Sequence, residues 1–365
     1  MDRTVEFLMV HDASYVLSAD PPVDGPSSVH WRDANDSFCS GELELLRATK
    51  TKLDSIDEKL YYQVRDQLFP LSQSGAQGSN QIANRAGYKL YECLEATGVW
   101  KSLAAISTSI VFVDLCGGPG AFSQALFASC PAKMKLCGYG LTLLCSHNGA
   151  PNGWYPQLLA SKKFVATFGI DGTGDIFKTE NILSLASLLP TENVLLVVAD
   201  GGFDVPFQQA NFQEAISSRI VFSQWVAALR ILRRTGCFVL KLFDTFTPLT
   251  RSILFLSSFF FERVHIVKPK HSRAVNSERY LVCLGFCGVP PRWMEYLTRL
   301  HQNKPLWDGE NTIHAIINVE DCVFLECCSL MCKSIVQNQV EALTRILHSS
   351  LIQSQGTCEQ SAPAS

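Results

Sequence analysis

The sequence lacks the features that would assign it to several broad classes of protein. No apolar run reaches the length of a membrane span, and the stretch 252–261 is too short. The first residues include Asp2, Arg3 and Glu6 and do not form a secretory signal. The formal net charge is −3 at pH 7, so the chain is not basic as a whole, and nucleic acid would have to contact a local patch. We therefore expect no membrane association.

Paired metal-ligand spacings are also missing, although the chain contains 14 cysteines. No C-x-x-C pair occurs, and no histidine or further cysteine stands at finger spacing from the cluster Cys327, Cys328 and Cys332. A zinc site needs such spacings, so we expect no metal site. The cysteines are instead predicted to be buried thiols of a protein from a reducing compartment.

The chain is long and apolar enough to bury a large core, with 365 residues of which 47% are hydrophobic. Apolar runs of strand length alternate with helical patterns, which predicts an α/β fold with a mostly parallel, doubly wound sheet. Only about ten residues separate the last two strands, which favours an antiparallel last strand over a crossover. The predicted strands are 110–115, 136–143, 164–168, 194–199, 236–243, 264–268 and 279–284, and the helices before and between them are 82–96, 121–128, 181–189, 211–234 and 248–259.

The outer parts of the chain predict two extensions of this core. Residues 1–81 are an arm and a helical extension: 1–40 are irregular, 41–68 are helical with an apolar and a basic stripe, and 70–80 form a loop. The basic stripe is either a contact surface or a solvated face. The core spans 82–290. Residues 291–365 form a C-terminal helical extension with an amphipathic helix at 333–350 and a frayed tail.

A glycine-rich turn follows the first core strand and precedes a helix. Residues 117–120 read GGPG, and missing side chains let the backbone approach a ligand at a helix N-terminus. A tight turn with no ligand is the alternative. The spacing is not G-x-G-x-x-G, and no P-loop Lys-Ser/Thr pair follows, which favours S-adenosylmethionine over NAD as the cofactor.

Two polar residues stand at chemically informative positions in the core strands. Asp200 ends the apolar strand 194–199 at the edge where ligands bind in open α/β sheets, although an acid there can also start a turn. Lys241 has apolar neighbours on both sides within its strand, and a lysine is costly to bury unless it reaches the strand edge or finds a partner. Lys89 and Glu278 would be unremarkable as single residues.

Five strings resemble, in order and local context, the motifs of FtsJ/RrmJ-type ribose 2′-O-methyltransferases, and among these the eukaryotic mRNA cap branch. They are NRA at 84–86, DLCGGPGAFS at 114–123, ADGGF at 199–203, KLFDTFTP at 241–248 and SRAVNSERY at 272–280. That family usually reads Gly-Gly-Phe-Ser-Glu where this chain has Ala121 and Gln124. The resemblance covers residues 82–285 and extends loosely to the basic stretch from Lys50.

The resemblance implies a catalytic tetrad of Lys89, Asp200, Lys241 and Glu278. A ribose hydroxyl is a weak nucleophile that must be aligned and must lose a proton, so one lysine has to act as a base. A neighbouring cation and partial desolvation favour the unprotonated amine that a base requires. We assign Lys241 as the base, Lys89 as its electrostatic partner and the orienter of the hydroxyl, and Asp200 and Glu278 as positioning groups.

The resemblance also implies the binding residues. Asp175 suits the adenine or ribose end of the cofactor, with Asp171 as the competing acid, and both acids can be turn formers. The cofactor set is Asn84, Cys116, Gly117, Gly118, Pro119, Gly120, Ala121, Phe122, Asp175 and Ile176. The substrate set is Lys50, Lys52, Leu53, Asp54, Arg65, Asn211, Gln213 and Asn276, and the aromatic candidates for stacking on a methylated guanine are Trp31, Trp154, Tyr155 and Trp307, most of which are expected to be structural.

The resulting hypothesis is a nuclear enzyme that methylates the 2′-hydroxyl of the first transcribed nucleotide of capped mRNA. Methylation of the second nucleotide or of rRNA uses the same tetrad and stays open. A non-catalytic cap- or RNA-binding subunit would be expected to have a broken tetrad. The sequence does not identify protein partners.

Overall fold

A computed structural model describes residues 4–10, 20–70, 84–144, 153–190, 194–203 and 205–359. An eight-stranded sheet forms its centre, in the order β1-β8-β9-β7-β6-β3-β4-β5. Strands β3 to β7 are parallel, and β9 runs antiparallel to β7 and β8. The sheet strands are β1 (Thr4–Val10), β3 (Ser109–Leu115), β4 (Lys135–Leu141), β5 (Phe164–Thr167), β6 (Val194–Ala199), β7 (Cys237–Leu242), β8 (Phe261–Lys268) and β9 (Arg279–Phe286), while β2 (Ser28–His30) pairs with β10 (Asn311–Ile313).

Helices cover both faces of this sheet, which confirms the predicted mostly parallel, doubly wound fold with an antiparallel last strand. Along β3, Val111 and Val113 face one core, and Ile110 and Phe112 face the other. Strands buried on both faces are continuously apolar, which is why the seven core strands were predictable. The helices are α1 (Ser40–Leu53), α2 (Glu58–Leu68), α3 (Arg85–Thr97), α4 (Val99–Ala104), α5 (Ala121–Ser129), α6 (Pro156–Leu159), α7 (Thr179–Leu188), α8 (Gln213–Ile216), α9 (Ser218–Ile231), α10 (Pro248–Phe260), α11 (Pro291–Gln302) and α12 (Cys322–Glu359).

The prediction of an irregular N-terminal arm is wrong for part of it, because β1 pairs antiparallel with β8 as an eighth strand at the sheet edge. Two predicted single helices are also interrupted. The 41–68 helix divides into α1 and α2, because Asp57 caps the N-terminus of α2 by accepting from the Leu60 amide. The 211–234 helix begins with a 3₁₀ turn and the short α8 before α9.

The two predicted extensions pack on each other. Helix α12 is longer than the predicted 333–350 helix and contacts both α1 and α2. Leu46 and Val64 from the N-terminal side share a buried cluster with Leu343 and Ile346 of α12, and Phe246 and Val275 from the core complete it. The first and last parts of the chain therefore form one layer beside the end of the sheet.

The twelve cysteines whose side chains the structure describes have free thiols. Cys137 and Cys322 are exposed, so the prediction of burial is wrong for these two. Among the described helices none is both long and apolar enough to cross a membrane.

Candidate active site

The four predicted tetrad residues converge at the carboxyl edge of the parallel strands. Lys89 projects from α3, Asp200 follows β6, Lys241 lies in β7 and Glu278 directly precedes β9. Because β6, β7 and β9 are neighbours in the sheet, residues far apart in the chain become adjacent there. This edge is where open α/β sheets place their ligands.

The tetrad is arranged as two ion pairs. The Lys89 ammonium lies 2.6 Å from Glu278 Oε1 and 2.7 Å from Oε2, and the two side chains are only 8% and 14% exposed. The Lys241 ammonium donates to the Asp200 carbonyl at 2.5 Å and lies 3.3 Å from Asp200 Oδ1. Burial would raise the pKa of Glu278, but the ammonium groups of Lys89 and Lys241 outweigh it and lower that pKa.

Tyr280 connects the two pairs and was missed from the sequence. Its buried hydroxyl donates to Asp200 Oδ1 at 3.0 Å and lies 3.4 Å from Glu278 Oε1. Burial, followed by the neighbouring carboxylates, raises its pKa well above the usual value, so the phenol stays a donor. A strand places alternate residues on one face. The spacing of two between Glu278 and Tyr280 therefore indicated, from the sequence, that the two side chains lie on the same side.

The glycine-rich loop is built on a buried aspartate. Asp114 Oδ2 accepts from the Ser123 amide at 3.1 Å and its hydroxyl at 2.7 Å, which anchors the first turn of α5. Burial raises the pKa of Asp114 to about 7. A Cβ at Gly117 would lie 2.2 Å from Asp114 Cγ, and Gly120, the N-cap of α5, has φ +113°. Residues 116–122 therefore form the expected turn into the helix N-terminus.

Gly118 is needed for a reason other than the expected ligand approach. A Cβ there would lie 2.6 Å from the Gly153 carbonyl oxygen and 2.8 Å from Thr142 Oγ1. The Gly118 amide also donates to Thr142 Oγ1 at 3.2 Å. The glycine thus lets the loop pack against neighbouring protein segments.

The structure distinguishes the two acids of the third-strand loop. Asp171 is bound by the Lys178 ammonium at 2.6 Å and by Thr173, which lowers its pKa and makes it a turn former. The half-buried Asp175 accepts from the Phe177 amide at Oδ1, which leaves Oδ2 as an acceptor for a ligand. Its neighbour Ile176 is buried.

His301, a second residue missed from the sequence, fixes this loop from α11. Its Nε2 lies 3.1 Å from the Ile176 carbonyl oxygen, and its Nδ1 lies 2.8 Å from Thr179 Oγ1. Burial lowers its pKa to about 4, so the ring is neutral, and we assign Nε2–H as the donor to the carbonyl. No sequence pattern near His301 indicates this contact.

Asn84 has a structural contact at the start of α3. Its Oδ1 accepts from the Ala86 amide at 2.9 Å as an N-cap, and its Nδ2 donates to the Tyr155 hydroxyl at 3.3 Å. Lys89 lies on the same helix, so the cap helps to fix the direction from which Lys89 enters the site.

A cleft of about 410 Å³ opens beside the tetrad. Seven of the eight predicted substrate residues line it, together with Glu278 of the tetrad; Lys52 is exposed and is not among them. Helices α1, α2 and α12, the segment before α9 and the loop before β9 all contribute to its walls. The predicted residues in the lining are Lys50, Leu53, Asp54, Arg65, Asn211, Gln213 and Asn276.

The aromatic side chains of the cleft are not the ones considered from the sequence. Trp31, Trp154 and Trp307 are buried in the core, so they are not available for stacking. Tyr61 and Tyr62 of α2 line the cleft instead, and the Arg65 guanidinium lies 4.6 Å from the Tyr62 ring centroid. Tyr61 and Tyr62 lie one helical turn before Arg65. This spacing could have indicated from the sequence that the three side chains lie together.

The sheet order, the turn before α5 and the charged cluster at the carboxyl edge together define a Rossmann-like methyltransferase. The chain belongs to the FtsJ-like methyltransferase family, whose model matches residues 82–286.

Curated relatives extend this match beyond the core. A protein from Trypanosoma cruzi named cap-specific mRNA (nucleoside-2′-O-)-methyltransferase 1 is 49% identical over 361 residues, covering 95% of this chain and 97% of that protein. A protein of the same name from Trypanosoma brucei brucei is 48% identical, covering 95% of each chain. A third, from Bos taurus, is 37% identical over 48% of this chain and 21% of its own length.

The loop packing predicts the effect of a side chain at position 118. Gly118→Val should displace the loop from Gly153 and Thr142, lowering both the melting temperature and the affinity for S-adenosylhomocysteine measured by calorimetry. The control is Gly41→Ala, because a Cβ at Gly41 meets nothing within 4 Å in α1. That variant should be neutral or stabilised by about 0.5–1 kcal/mol. Unchanged affinity in a folded Gly118→Val protein would contradict the loop assignment.

The neutral His301 predicts a loss of stability in acid. Its folded pKa is below its unfolded value, so the unfolded state binds more protons between about pH 6.5 and 4. Stability should therefore fall as the pH drops through that window. In His301→Gln the amide can still donate to Ile176, and the acid loss should shrink by up to about 3 kcal/mol. Urea unfolding at pH 7 and pH 4.5 measures the decrease in the free energy of unfolding. An equal decrease in the wild type and in His301→Gln would contradict the role of His301.

Proposed function

We propose that the protein transfers a methyl group from S-adenosylmethionine to the ribose 2′-hydroxyl of the first transcribed nucleotide of capped mRNA, in the nucleus. The carrying observation is that Glu278 belongs both to the tetrad, where it binds Lys89, and to the wall of the substrate-sized cleft. A ligand in the cleft therefore lies directly beside the two lysines. The names of the curated relatives support capped mRNA as the substrate.

The residues around the glycine-rich loop fit this cofactor. Asp175 Oδ2 can accept from a hydroxyl or amine, the half-buried Cys116 begins the turn, and the turn leads into the N-terminus of α5. Burial raises the pKa of the Cys116 thiol to about 12, so it is not a nucleophile. When bound, S-adenosylmethionine supplies a methyl group attached to a sulfonium. The neutral thioether that is left after methyl transfer does not need to be protonated by an acid.

Lys241 is placed to accept the proton of the attacking hydroxyl. Its side-chain nitrogen is oriented by the Asp200 carbonyl and carboxylate, and Tyr280 fixes that carboxylate from the other side. A Cβ at Gly202 would lie 3.0 Å from Lys241 Cε, so the glycine permits the lysine to reach this position. Proximity and orientation of this kind account for much of the rate enhancement in aligned group transfers.

Lys89 supplies the second positive charge and, in our assignment, orients the ribose. Glu278 holds its ammonium through both carboxylate oxygens, which fixes the lysine beside the part of the cleft wall that Glu278 forms. Because the four tetrad residues interact, the role of each depends on the other three.

The cleft chemistry suits the cap end of an RNA. Tyr61 and Tyr62 offer ring faces or edges to a methylated guanine, which is cationic and binds aromatic rings well. Lys50 and Arg65 supply positive charge for phosphate groups in the same cleft. We propose that these four side chains bind the cap and its phosphate bridge.

Transfer of label from S-adenosylmethionine tests this function. With a short capped RNA the label should appear in the ribose of the first nucleotide and should depend on the methylated cap. Lys241→Met should lower the rate by about 10²–10⁴-fold while cofactor affinity stays near wild type. Lys241→Arg should be equally inactive, because arginine does not lose its proton near neutral pH.

Other outcomes assign other functions. Label on the second nucleotide, or equal labelling of uncapped rRNA fragments, would replace the proposed substrate. Binding of capped RNA without transfer would support a non-catalytic subunit, and label in a base would contradict the ribose assignment. A Lys241→Arg enzyme with most of its activity would make Lys241 a positioning group.

Two lysines of α1 provide a matched test of the cleft. Lys50 lines it, with its ammonium 3.5 Å from Ser277 Oγ and a pKa lowered by burial, whereas Lys52 is exposed. Lys50→Met should weaken binding of capped RNA and reduce its salt dependence by about 0.7 in the log–log slope. Lys52→Met should change neither. Equal effects of the two substitutions would mean that the RNA contacts the exposed face of α1 instead.

A further inference from the structure

The loop at residues 269–278, which joins β8 to β9, serves the cleft and the tetrad at once. Asn276 and Ser277 line the cleft, and Glu278 binds Lys89. Glu92 of α3 fixes one end of the loop, since its carboxylate accepts from the Lys270 amide at 2.5 Å and lies 2.6 Å from His271 Nδ1. The placement of the other end determines where Asn276 and Glu278 stand.

Lys268, the last residue of β8, contacts the other end of the loop, at Asn276 and Glu278. Its ammonium donates to the carbonyl oxygens of Asn276 and Glu278, the latter at 2.6 Å, and lies 3.4 Å from Ser272 Oγ. The Ser272 hydroxyl donates to the same Glu278 carbonyl at 2.9 Å. Among the described residues no carboxylate lies within 4.0 Å of the Lys268 ammonium.

A half-buried ammonium without a carboxylate partner is costly, so its hydrogen bonds must be its main compensation. Lysine supplies three donors from one atom, which is what two carbonyl oxygens and a hydroxyl require. An apolar residue of similar length would leave the two main-chain carbonyls without this donor.

We propose that Lys268 is a positioning residue for methyl transfer, whose ammonium group fixes the 269–278 loop and thereby Asn276 and the Glu278 carboxylate. This inference rests on the proposed function. It adds a fifth charged residue to the four residues of the tetrad. Lys268 acts through Glu278 and the loop, and reaches neither the cofactor loop nor the tetrad lysines directly.

The charges around Lys268 make this positioning sensitive to pH. Burial lowers its pKa to about 7; Arg279 and Lys89 disfavour its charge, while Glu278 and Asp244 favour it. Below pH 7 the ammonium keeps all three donors, and above pH 7 it loses one. The loop should therefore be held less firmly as the pH rises, which is opposite to the effect of pH on a lysine acting as a base.

Steady-state kinetics between pH 6 and 9 test the proposal with the full-length protein and capped RNA. Wild-type kcat should fall on the alkaline side with an apparent pKa near 7. Lys268→Met should lower kcat by about 10²-fold below pH 7, as expected for a misplaced reacting group, and by less at pH 9, where the wild-type amine has already lost a donor. Its S-adenosylhomocysteine affinity should be unchanged. Lys268→Arg should restore activity and remove the alkaline fall. Lys270→Met, a change of the exposed lysine in the same loop, should match wild type.

Hydrogen exchange without substrate gives a second measurement that does not depend on activity. At one pH, peptides covering 270–278 should exchange faster in Lys268→Met than in wild type, while peptides covering β3 stay the same. If Lys268→Arg fails to fold, this comparison decides alone. An unchanged alkaline limb in a folded Lys268→Arg protein, or equal loop exchange in Lys268→Met and wild type, would overturn the proposal. A wild-type protein that does not methylate capped RNA but shows the exchange difference would refute the proposed function only.

Discussion

The ion pair between Lys89 and Glu278 is the contact on which the rest of the site depends. It joins a helix that precedes the first core strand to the residue that precedes the last, across 189 positions of sequence. Both side chains are largely withdrawn from water, so each would be costly without the other. The pair therefore couples the closing of the sheet to the placement of the two lysines of the tetrad.

Most of the central sheet was predictable because its strands are buried on both faces and read as continuous apolar runs ended by turn residues. The edge strand β1 was not, since its pairing with β8 is a long-range contact that no local pattern specifies. The break between α1 and α2 depends on the Asp57 cap, which competes with a helical pattern that looks continuous. The length of α12 depends on packing against α1 and α2.

The site was predictable to the extent that its residues lie in motifs. Asp200 and Lys241 stand out because a charge interrupts or ends an apolar strand, and the tetrad followed from the order of the strings. Lys268 and His301 act through main-chain carbonyls, and such contacts carry no local pattern. Tyr280 was missed although its spacing of two from Glu278 was available. The expectation that most of the candidate aromatics are structural holds for the three buried tryptophans, but the sequence did not single out Tyr61 and Tyr62, because composition does not distinguish a core ring from an exposed one.

The joining of the first and last parts of the chain has a consequence for synthesis on the ribosome. The cofactor loop and all eight sheet strands are complete by the end of β9, whereas Gln339 and Leu343 of α12 supply part of the cleft wall. A nascent chain that has emerged only as far as β9 contains every residue of the sheet and the tetrad, but it lacks the α12 residues of the cleft wall. His301 of α11, which fixes the loop of Asp175 and Ile176, also follows β9, so that loop and the cleft are both completed by the last part of the chain.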